Sequence, residues 1–225
     1  MGSLSIRWIG QNGYLLRDGN NEICIDPYLS NVVDRVAKRG RMVKAPFAPE
    51  KLKSDVTVCT HDHLDHLDPE TVSRMKKDRL FVTTSEGKER LLGLGRENVA
   101  VLCEGESIRL GDFEITAVFA DHTVQAFGVI VKAEGKTLYF SGDTLYHEKL
   151  FEIGAYAPDV TFICINGRLG NMNVEEALTV AKKIGARINV PTHYDMFASN
   201  SEDPHLFADH IDGGMILEFN KEYRF

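Results

Sequence analysis

Short apolar runs separated by glycine- and asparagine-rich turns occupy the start of the chain. The runs at 5–9, 14–17 and 22–25 have the length of β-strands. They predict an opening β-meander. Residues 30–50 have no clear period and contain several basic residues and two prolines, which indicates a long loop with a short helix.

Longer helical and strand-like segments then alternate. The rest of the first half predicts a strand, a helix, a strand and a helix at 56–60, 69–77, 80–84 and 86–92. The second half predicts four strands in succession, at 107–110, 113–119, 126–132 and 137–140. It then predicts a helix at 145–154, a strand at 160–165, a helix at 174–184 and a strand at 188–190. Two β-rich halves, roughly 1–105 and 106–225, predict an α/β protein with two packed sheets and outer helices, in one domain over 1–225.

Composition and charge narrow the classes of partner. A chain of 225 residues that is 43% hydrophobic can bury a full core as one domain. Its formal net charge of −7 argues against a nucleic-acid surface, and an anionic small-molecule substrate has to be attracted locally. No apolar run approaches the roughly 18 residues of a membrane span, so no membrane partner is expected. A homo-oligomer is left open.

The four cysteines lie in apolar stretches and are far apart in the sequence. They are Cys24, Cys59, Cys103 and Cys164. Free cysteine is among the most buried residue types, so we expect buried, reduced thiols. Reduced thiols favour a cytoplasmic location.

A cluster of ligand-type side chains follows the strand at 56–60. It reads His61-Asp62-His63-Leu64-Asp65-His66. Residues two apart in an extended segment share a face, so His61 and His63 can bind one ion together. A tight turn after Leu64 would bring Asp65 and His66 to a second ion. The alternative is a surface loop that is rich in histidine by chance. It does not explain why three histidines and two aspartates follow a buried strand, since they have no structural role there without a metal ion.

This cluster resembles the H-x-H-x-D-H motif of the metallo-β-lactamase superfamily. The resemblance implies a four-layer αββα sandwich with a metal site at one edge, between the sheets. It also implies three further metal ligands in the second half: His122, Asp143 and His193. By the same resemblance Asp26, in Ile25-Asp26-Pro27, supports the site without binding metal.

Five stretches are similar, more narrowly, to the L-ascorbate-6-phosphate lactonase family: 9–11, 24–30, 59–70, 165–177 and 191–197. Members of that family are considerably longer than 225 residues. The similarity implies a metal-dependent hydrolase that opens the lactone ring of a sugar acid or sugar acid phosphate. Two divalent ions lower the pKa of a water between them, which makes hydroxide available at neutral pH. Asp65, which orients the attacking oxygen, and His66 are the expected catalytic residues.

Five imidazoles and two carboxylates, with no thiolate, suit zinc, manganese or iron. The resemblance favours two manganese or zinc ions per chain, with iron as a further option. Candidate substrate contacts are the pair Arg41 and Lys44, as an anion clamp, and the later residues Asn166, Arg168, Asn171 and Asn173. Each also has a simpler interpretation, since basic runs are often solvated surface and asparagines often form turns and helix caps.

Two other functions fit the same motif. One is a phosphodiesterase acting on a small substrate, because this fold and motif also serve that reaction. The other is a non-hydrolytic iron protein or a metal-binding regulatory subunit. Relative turnover of a lactone and of bis-p-nitrophenyl phosphate distinguishes the first from a lactonase. A spectrum that lacks iron absorption, together with any esterase activity, would dismiss the second.

Overall fold

The computed structural model describes residues 4–225, in which the first sheet starts with the expected meander. Strands β1 (Ser5–Gly10), β2 (Gly13–Arg17) and β3 (Glu22–Ile25) pair antiparallel. Three parallel strands then extend this sheet: β4 (Val56–Val58), β5 (Leu80–Thr83) and β6 (Val99–Val101). On the other side, a strand from the end of the chain (Glu222–Arg224) pairs with β1. The first sheet is therefore mixed, and both ends of the chain contribute to it.

The second sheet is built from the later half of the chain. Its strands are β7 (Ser107–Leu110), β8 (Phe113–Val118), β9 (Gly128–Ala133), β10 (Lys136–Phe140), β11 (Val160–Cys164) and β12 (Ile188–Thr192). Strands β7 to β10 pair antiparallel in sequence order, and β10, β11 and β12 pair parallel. The strand Glu222–Arg224 is β13.

Within residues 4–225, five helices connect or flank these strands. They are α1 (Val32–Ala37), α2 (Pro69–Arg74), α3 (Ser85–Gly93), α4 (Val174–Ile184) and α5 (His205–Ala208), and two 3₁₀ segments lie at Pro49–Lys51 and Glu148–Tyr156. The N-terminal ends of α2 and α4 are capped by Asp68 and Asn173. In residues 4–225 no helix is long and apolar enough to cross a bilayer.

Strand β3 shows how the interior is divided. Alternate side chains of a strand point to opposite faces of the sheet. Ile23 and Ile25 belong to a large apolar cluster that contains side chains from both sheets, whereas Cys24 lies in a second cluster with Val72 of α2 and Leu91 of α3. The first sheet therefore packs against the second sheet on one face and against helices on the other, as predicted from the sequence.

Aromatic rings join the two sheets directly. The ring of Tyr14 on β2 lies 5.1 Å from that of Phe140 on β10 and 4.8 Å from that of Phe162 on β11. Phe140 and Phe162 stack on each other at 4.4 Å. Aromatic pairs at these separations stabilise a core beyond the area they bury. The contacts fix the two sheets close to the strand ends that carry the histidines.

The sequence pattern missed the shortest elements. It did not predict β6, β13 or α5, which have three or four residues each. The helix expected at 145–154 is instead the 3₁₀ segment Glu148–Tyr156, and α2 ends at Arg74 rather than at residue 77. Such short elements are stabilised by pairing or packing with distant segments, which a local pattern does not contain.

The cysteine prediction is confirmed for three positions and wrong for one. Cys24, Cys59 and Cys164 are buried and free, and burial raises the pKa of each thiol. Cys103 is exposed. It lies after β6 in a surface turn, where its backbone N–H donates to the Glu106 carboxylate. A nearby apolar stretch therefore did not determine burial at this position.

Candidate metal centre

The ligand-type side chains predicted from the sequence all lie at the carboxyl ends of strands. The His61–His66 cluster follows β4, His122 follows β8, Asp143 follows β10 and His193 follows β12. In α/β sheets this is the usual position of ligand sites. The seven residues form three overlapping groups whose ligand atoms lie within 4.8 Å of one another.

Three imidazoles form the first group. His61 Nε2 and His122 Nε2 each lie 3.1 Å from His63 Nδ1. The side chains of His61 and His122 are fully buried, whereas His63 is partly exposed. Three converging imidazole nitrogens with an open side are the arrangement that holds a catalytic zinc or a similar ion.

The second group contains Asp65, His66 and His193. Asp143 lies against it, because Oδ1 is 3.3 Å from His66 Nε2 and Oδ2 is 3.3 Å from His193 Nε2. Asp143 Oδ2 is also 3.9 Å from Nε2 of His122, in the first group. This carboxylate therefore lies between the two groups, as expected of a ligand that two ions share.

Asp26 orients two of the histidines. Thr60 Oγ1 donates to Asp26 Oδ2 at 2.7 Å and so must accept from His61 Nδ1, which lies 3.1 Å away. His66 Nδ1 donates to the same carboxylate oxygen at 2.8 Å. Both rings therefore hold their proton on Nδ1 and direct the lone pair of Nε2 to the centre of the site. Asp26 itself is fully buried and belongs to none of the three groups.

His122 is oriented by a glycine. Its Nδ1 donates to the carbonyl oxygen of Gly170 at 2.9 Å, which leaves Nε2 for the first group. Gly170 has a φ of 91°, and a Cβ atom there would lie 2.9 Å from the His122 ring. Only glycine combines this left-handed backbone with such a close approach.

The local electrostatics favour cation binding. Burial, with a further contribution from His66, lowers the pKa of His61 well below its usual value. Burial and the neighbouring His122 also lower the pKa of His63. Burial opposes ionisation of Asp143, but His193 and His66 outweigh it and hold the pKa of that carboxyl well below its usual value. Burial opposes protonation of His66 and His193, but Asp143 outweighs it and raises the pKa of both rings, so a metal ion that binds them would displace protons. His61 and His63 are already in the neutral form that binds a metal ion.

Two amides of the turn between β1 and β2 also reach the site. Gln11 Nε2 donates to Asp65 Oδ2 at 2.7 Å, and Asn12 Nδ2 donates to Asp143 Oδ1 at 2.7 Å. Sequence reasoning placed Gln11 in one of the stretches similar to the lactonase family and treated the segment as a turn, but it assigned neither amide a role at the site. The available signal was the pair of large amides between Gly10 and Gly13, where a simple turn needs no such side chains.

The donor set fits two divalent ions. His66 Nε2 is fully buried and makes no hydrogen bond with residues 4–225, although Asp143, Asp65 and His193 surround it. A buried imidazole nitrogen without a partner is costly unless a ligand occupies the position that it faces. The residues that could hold one ion are His61, His63 and His122, and those for the other are Asp65, His66 and His193, with Asp143 between them.

A cavity of about 460 Å³ opens onto these groups. His63, Asp65, Asp143 and His193 line it on the side of the metal centre. The remaining lining is mostly apolar and includes Val33, Ala37, Leu64, Leu169 and Phe197, with Arg39, Thr123, Gly170 and Asn200 as the other members. The metal centre is therefore accessible to a small molecule.

The two predicted cations lie elsewhere. Arg41 donates to the carbonyl oxygens of Tyr28, Ser30 and Val43, and its guanidinium lies 4.5 Å from the centre of the Tyr28 ring. Lys44 is exposed, and neither cation lines the cavity. The cation in the lining is Arg39, which forms no ion pair or side-chain hydrogen bond within the described part of the chain.

The loop after β11 contains the predicted contacts Asn166, Arg168 and Asn171, which do not line the cavity but contact residues beside it. Asn166 is buried, donates to Asn200 Oδ1 at 2.8 Å and accepts from Asn171 Nδ2 at 3.0 Å. Arg168 is exposed and donates to the carbonyl of Ser199. Asn200, which the sequence did not single out, is the member of this network that lines the cavity.

Asn173 caps α4 through a capping box. Its side chain accepts from the backbone N–H of Glu176, and the Glu176 carboxylate accepts from the backbone N–H of Asn173, both at 3.0 Å. An Asn173→Ala variant should therefore lose about 1 kcal/mol in free energy of unfolding. Asn173→Asp keeps the cap and should match the native protein in both urea unfolding and kcat/KM. A large loss of turnover in the folded aspartate variant would instead support a substrate contact.

Similarity to known proteins agrees with this geometry. A sequence model of the beta-lactamase superfamily domain matches residues 5–193. The UPF0173 metal-dependent hydrolase of Listeria innocua is 28% identical over 236 aligned residues, covering 97% of this chain and 98% of the relative. That of Methanosphaerula palustris is 29% identical and covers 93% of this chain and 92% of the relative.

Solved structures share the fold over nearly the whole chain. Igni18, a metallo hydrolase of Ignicoccus hospitalis, superimposes with a TM-score of 0.83 at 23% identity and covers 99% of this chain and 98% of its own. An isothiocyanate hydrolase from Delia radicum gut bacteria gives a TM-score of 0.81 at 20% identity, with 98% of both chains covered. These neighbours confirm the predicted two-sheet sandwich. Because the sequence model spans most of the chain and its motif residues form the observed histidine and aspartate groups, this protein belongs to the metallo-β-lactamase superfamily.

Proposed function

We propose that this protein is a metal-dependent hydrolase that opens the ring of a small lactone carrying an anionic group. The observation that carries the proposal is the convergence of the two ligand groups, joined by Asp143, on a cavity of small-molecule size. The curated relatives are described as metal-dependent hydrolases, which supports the reaction class. The lactone substrate rests on the narrower sequence resemblance and on the lining of the cavity.

Two divalent ions, when bound, would polarise a substrate oxygen and acidify a water. The protein itself holds the geometry. Asp26 fixes the tautomers of His61 and His66, and Asp143 lies between the two groups, so the ligand atoms are in place before substrate binds. Such preorganisation reduces the rearrangement that the reaction would otherwise require.

Asp65 lies where its carboxylate can orient the attacking water. Its carboxylate lines the cavity, and Oδ2 is held by Gln11 Nε2. The other carboxylate oxygen, Oδ1, is therefore the one that can accept a hydrogen bond from a water in the cavity. His66 is fully buried behind Asp65, so its role is to bind the ion through Nε2.

The lining indicates what the substrate looks like. Leu64, Leu169 and Phe197 provide an apolar wall, whereas Arg39 and Asn200 supply polar groups. Asn200 accepts from Asn166, which leaves its own amide N–H groups for a substrate oxygen. We therefore expect a lactone with an apolar face and one negatively charged substituent.

The first experiment compares substrates on protein loaded with manganese and then with zinc. Ring opening of L-ascorbate 6-phosphate and of an alkyl-substituted γ-lactone carboxylate is measured beside hydrolysis of bis-p-nitrophenyl phosphate. We expect kcat/KM for a lactone to exceed that for the diester, with no turnover by His63→Ala protein. Faster diester hydrolysis by protein that holds two ions would replace the lactonase proposal with the phosphodiesterase.

Arg39 should determine the preference for an anionic substituent. Loss of a charge-assisted hydrogen bond costs about 1.5–3 kcal/mol, so Arg39→Gln should raise KM for a carboxylate-bearing lactone by about 10- to 100-fold. A neutral lactone should be affected far less. Lys44→Gln, which removes an exposed cation outside the cavity, is the matched control and should leave both KM values unchanged. Equal effects of the two variants would contradict the role of Arg39.

A further inference from the structure

The turn between β1 and β2 contains two large buried amides. Gln11 is fully buried and Asn12 is 3% exposed. Turns of this length normally lie at the surface, where polar side chains meet water. Here the amide turn, defined as Gln11 and Asn12, points into the metal centre instead. Such burial requires partners for each amide.

The two amides donate to different carboxylates. Gln11 Nε2 lies 2.7 Å from Asp65 Oδ2 and 3.0 Å from His193 Nε2, so it contacts two of the three members of the second ligand group. Asn12 Nδ2 lies 2.7 Å from Asp143 Oδ1. The amide turn makes no side-chain hydrogen bond to His61, His63 or His122 within the described residues. Gln11 therefore acts on one ligand group and not on the other.

The backbone of Gln11 is held firmly. Its carbonyl oxygen accepts from the Trp8 indole N–H at 2.9 Å and lies 3.0 Å from Thr192 Oγ1, which donates to the neighbouring Asn12 Oδ1 at 2.7 Å. Gln11 has a φ of 54°, a conformation that costs a non-glycine residue of order 1 kcal/mol or more. Thr192 directly precedes His193, so the same contact joins the turn to another ligand of the second group. Such strain persists only where surrounding contacts fix the residue.

A neutral donor suits this position. Asp65 Oδ2 lies 3.8 Å from His193 Nε2 and 3.9 Å from His66 Nε2. A lysine or arginine would also hold the carboxylate, but its charge would repel a divalent ion a few ångströms away. An amide N–H orients the carboxylate without adding a positive charge. It also keeps Oδ2 directed toward the two imidazoles.

We infer that Gln11 is a positioning residue that controls occupancy of the second ion by holding Asp65 toward His66 and His193. The inference rests on the two-ion site of the proposed function, but not on its substrate. Loss of a hydrogen bond behind a ligand typically lowers metal affinity by about 10- to 100-fold. Removing the Gln11 donor should therefore weaken binding of one ion and leave the three-histidine group intact.

Cobalt titration of metal-free protein tests this directly. Native protein, Gln11→Met and Gln11→Glu are titrated with Co²⁺, and bound ions are followed by visible absorption and by metal analysis. In Gln11→Met we expect the first equivalent to bind normally and the second about 10- to 100-fold more weakly. Glutamate has no N–H to donate to Asp65, so Gln11→Glu should weaken the second equivalent as well.

Two outcomes would overturn the inference. Native affinity for the second equivalent in Gln11→Met would show that the donor is not needed. Tighter binding in Gln11→Glu would make residue 11 an oxygen ligand rather than a positioning residue. Because these readouts need no substrate, inactivity on lactones would affect only the proposed function. Native protein that binds fewer than two Co²⁺ ions would overturn the two-ion site itself.

An unrelated buried amide provides the matched control. Asn189 on β12 donates to the carbonyls of Ala186 and Asp212 and accepts from Thr161. Asn189→Leu should lower the thermal unfolding midpoint without changing Co²⁺ affinity. If this variant also lost the second equivalent, the Gln11 effect would reflect general loss of stability, and the inference would be wrong.

Discussion

Replacing Asp143 by alanine should abolish turnover and remove at least one of the two ions. Asp143 contacts both ligand groups, with 3.3 Å to His66 Nε2 and to His193 Nε2 and 3.9 Å to His122 Nε2. Removal of a single electrostatic contact in an active site commonly lowers the rate by about 10²–10³. Removal of a residue that contacts both ligand groups should therefore lower kcat/KM by at least about 1,000-fold. Metal analysis and steady-state kinetics measure the two effects.

The Asp143→Asn variant separates charge from shape. Asparagine fills the same space but offers one oxygen and no negative charge. We expect it to retain more metal than the alanine variant and still to lose most of its activity. Circular dichroism of metal-free proteins checks that both variants fold. An alanine variant with two ions and native turnover would exclude Asp143 as the shared ligand.

The metal centre was predictable because its main signal is local. His61, His63, Asp65 and His66 lie within six residues at a strand end, so their proximity follows from the sequence itself. The separate ligands His122, Asp143 and His193 came from the family resemblance, and the structure brings them to the same place. Strand order and chain connectivity, rather than any local pattern, create that second kind of proximity.

The supporting amides could not be predicted in this way. Gln11 lies 54 residues from Asp65, and Asn12 lies 131 residues from Asp143. Each occurs in a segment whose glycines and asparagine indicate a turn equally well. A residue whose function depends on a long-range contact has no local signal, apart from being larger and more polar than the turn requires.

The cations near the cavity could not be distinguished from the sequence either. Arg39 and Arg41 are two residues apart in an irregular loop, and only Arg39 lines the cavity. Arg41 is held by three backbone carbonyls and stacks on Tyr28, so it stabilises the loop. Without a regular helix or strand, no period predicts which of two neighbouring side chains points inward.

Removal of the Asp26 carboxylate should affect both metal binding and folding. Its oxygens accept from the Thr60 backbone N–H at 2.8 Å, from Thr60 Oγ1 and from His66 Nδ1. In Asp26→Asn, the amide nitrogen must face one of these donors, so a buried donor loses its partner at a cost of about 1–3 kcal/mol. His61 and His66 then lose the contact that fixes their tautomers, and metal affinity should fall by about 10- to 100-fold or more.

Thr60→Val is the graded control for that variant. It removes the hydroxyl link between Asp26 and His61 but leaves His66 Nδ1 bonded to the carboxylate. We therefore expect weaker binding of the ion held by His61, His63 and His122, with the second ion much less affected. Asp26→Asn should weaken both. Co²⁺ titration and urea unfolding of the metal-free proteins measure the difference, and equal behaviour of the two variants would contradict a carboxylate that orients both histidines.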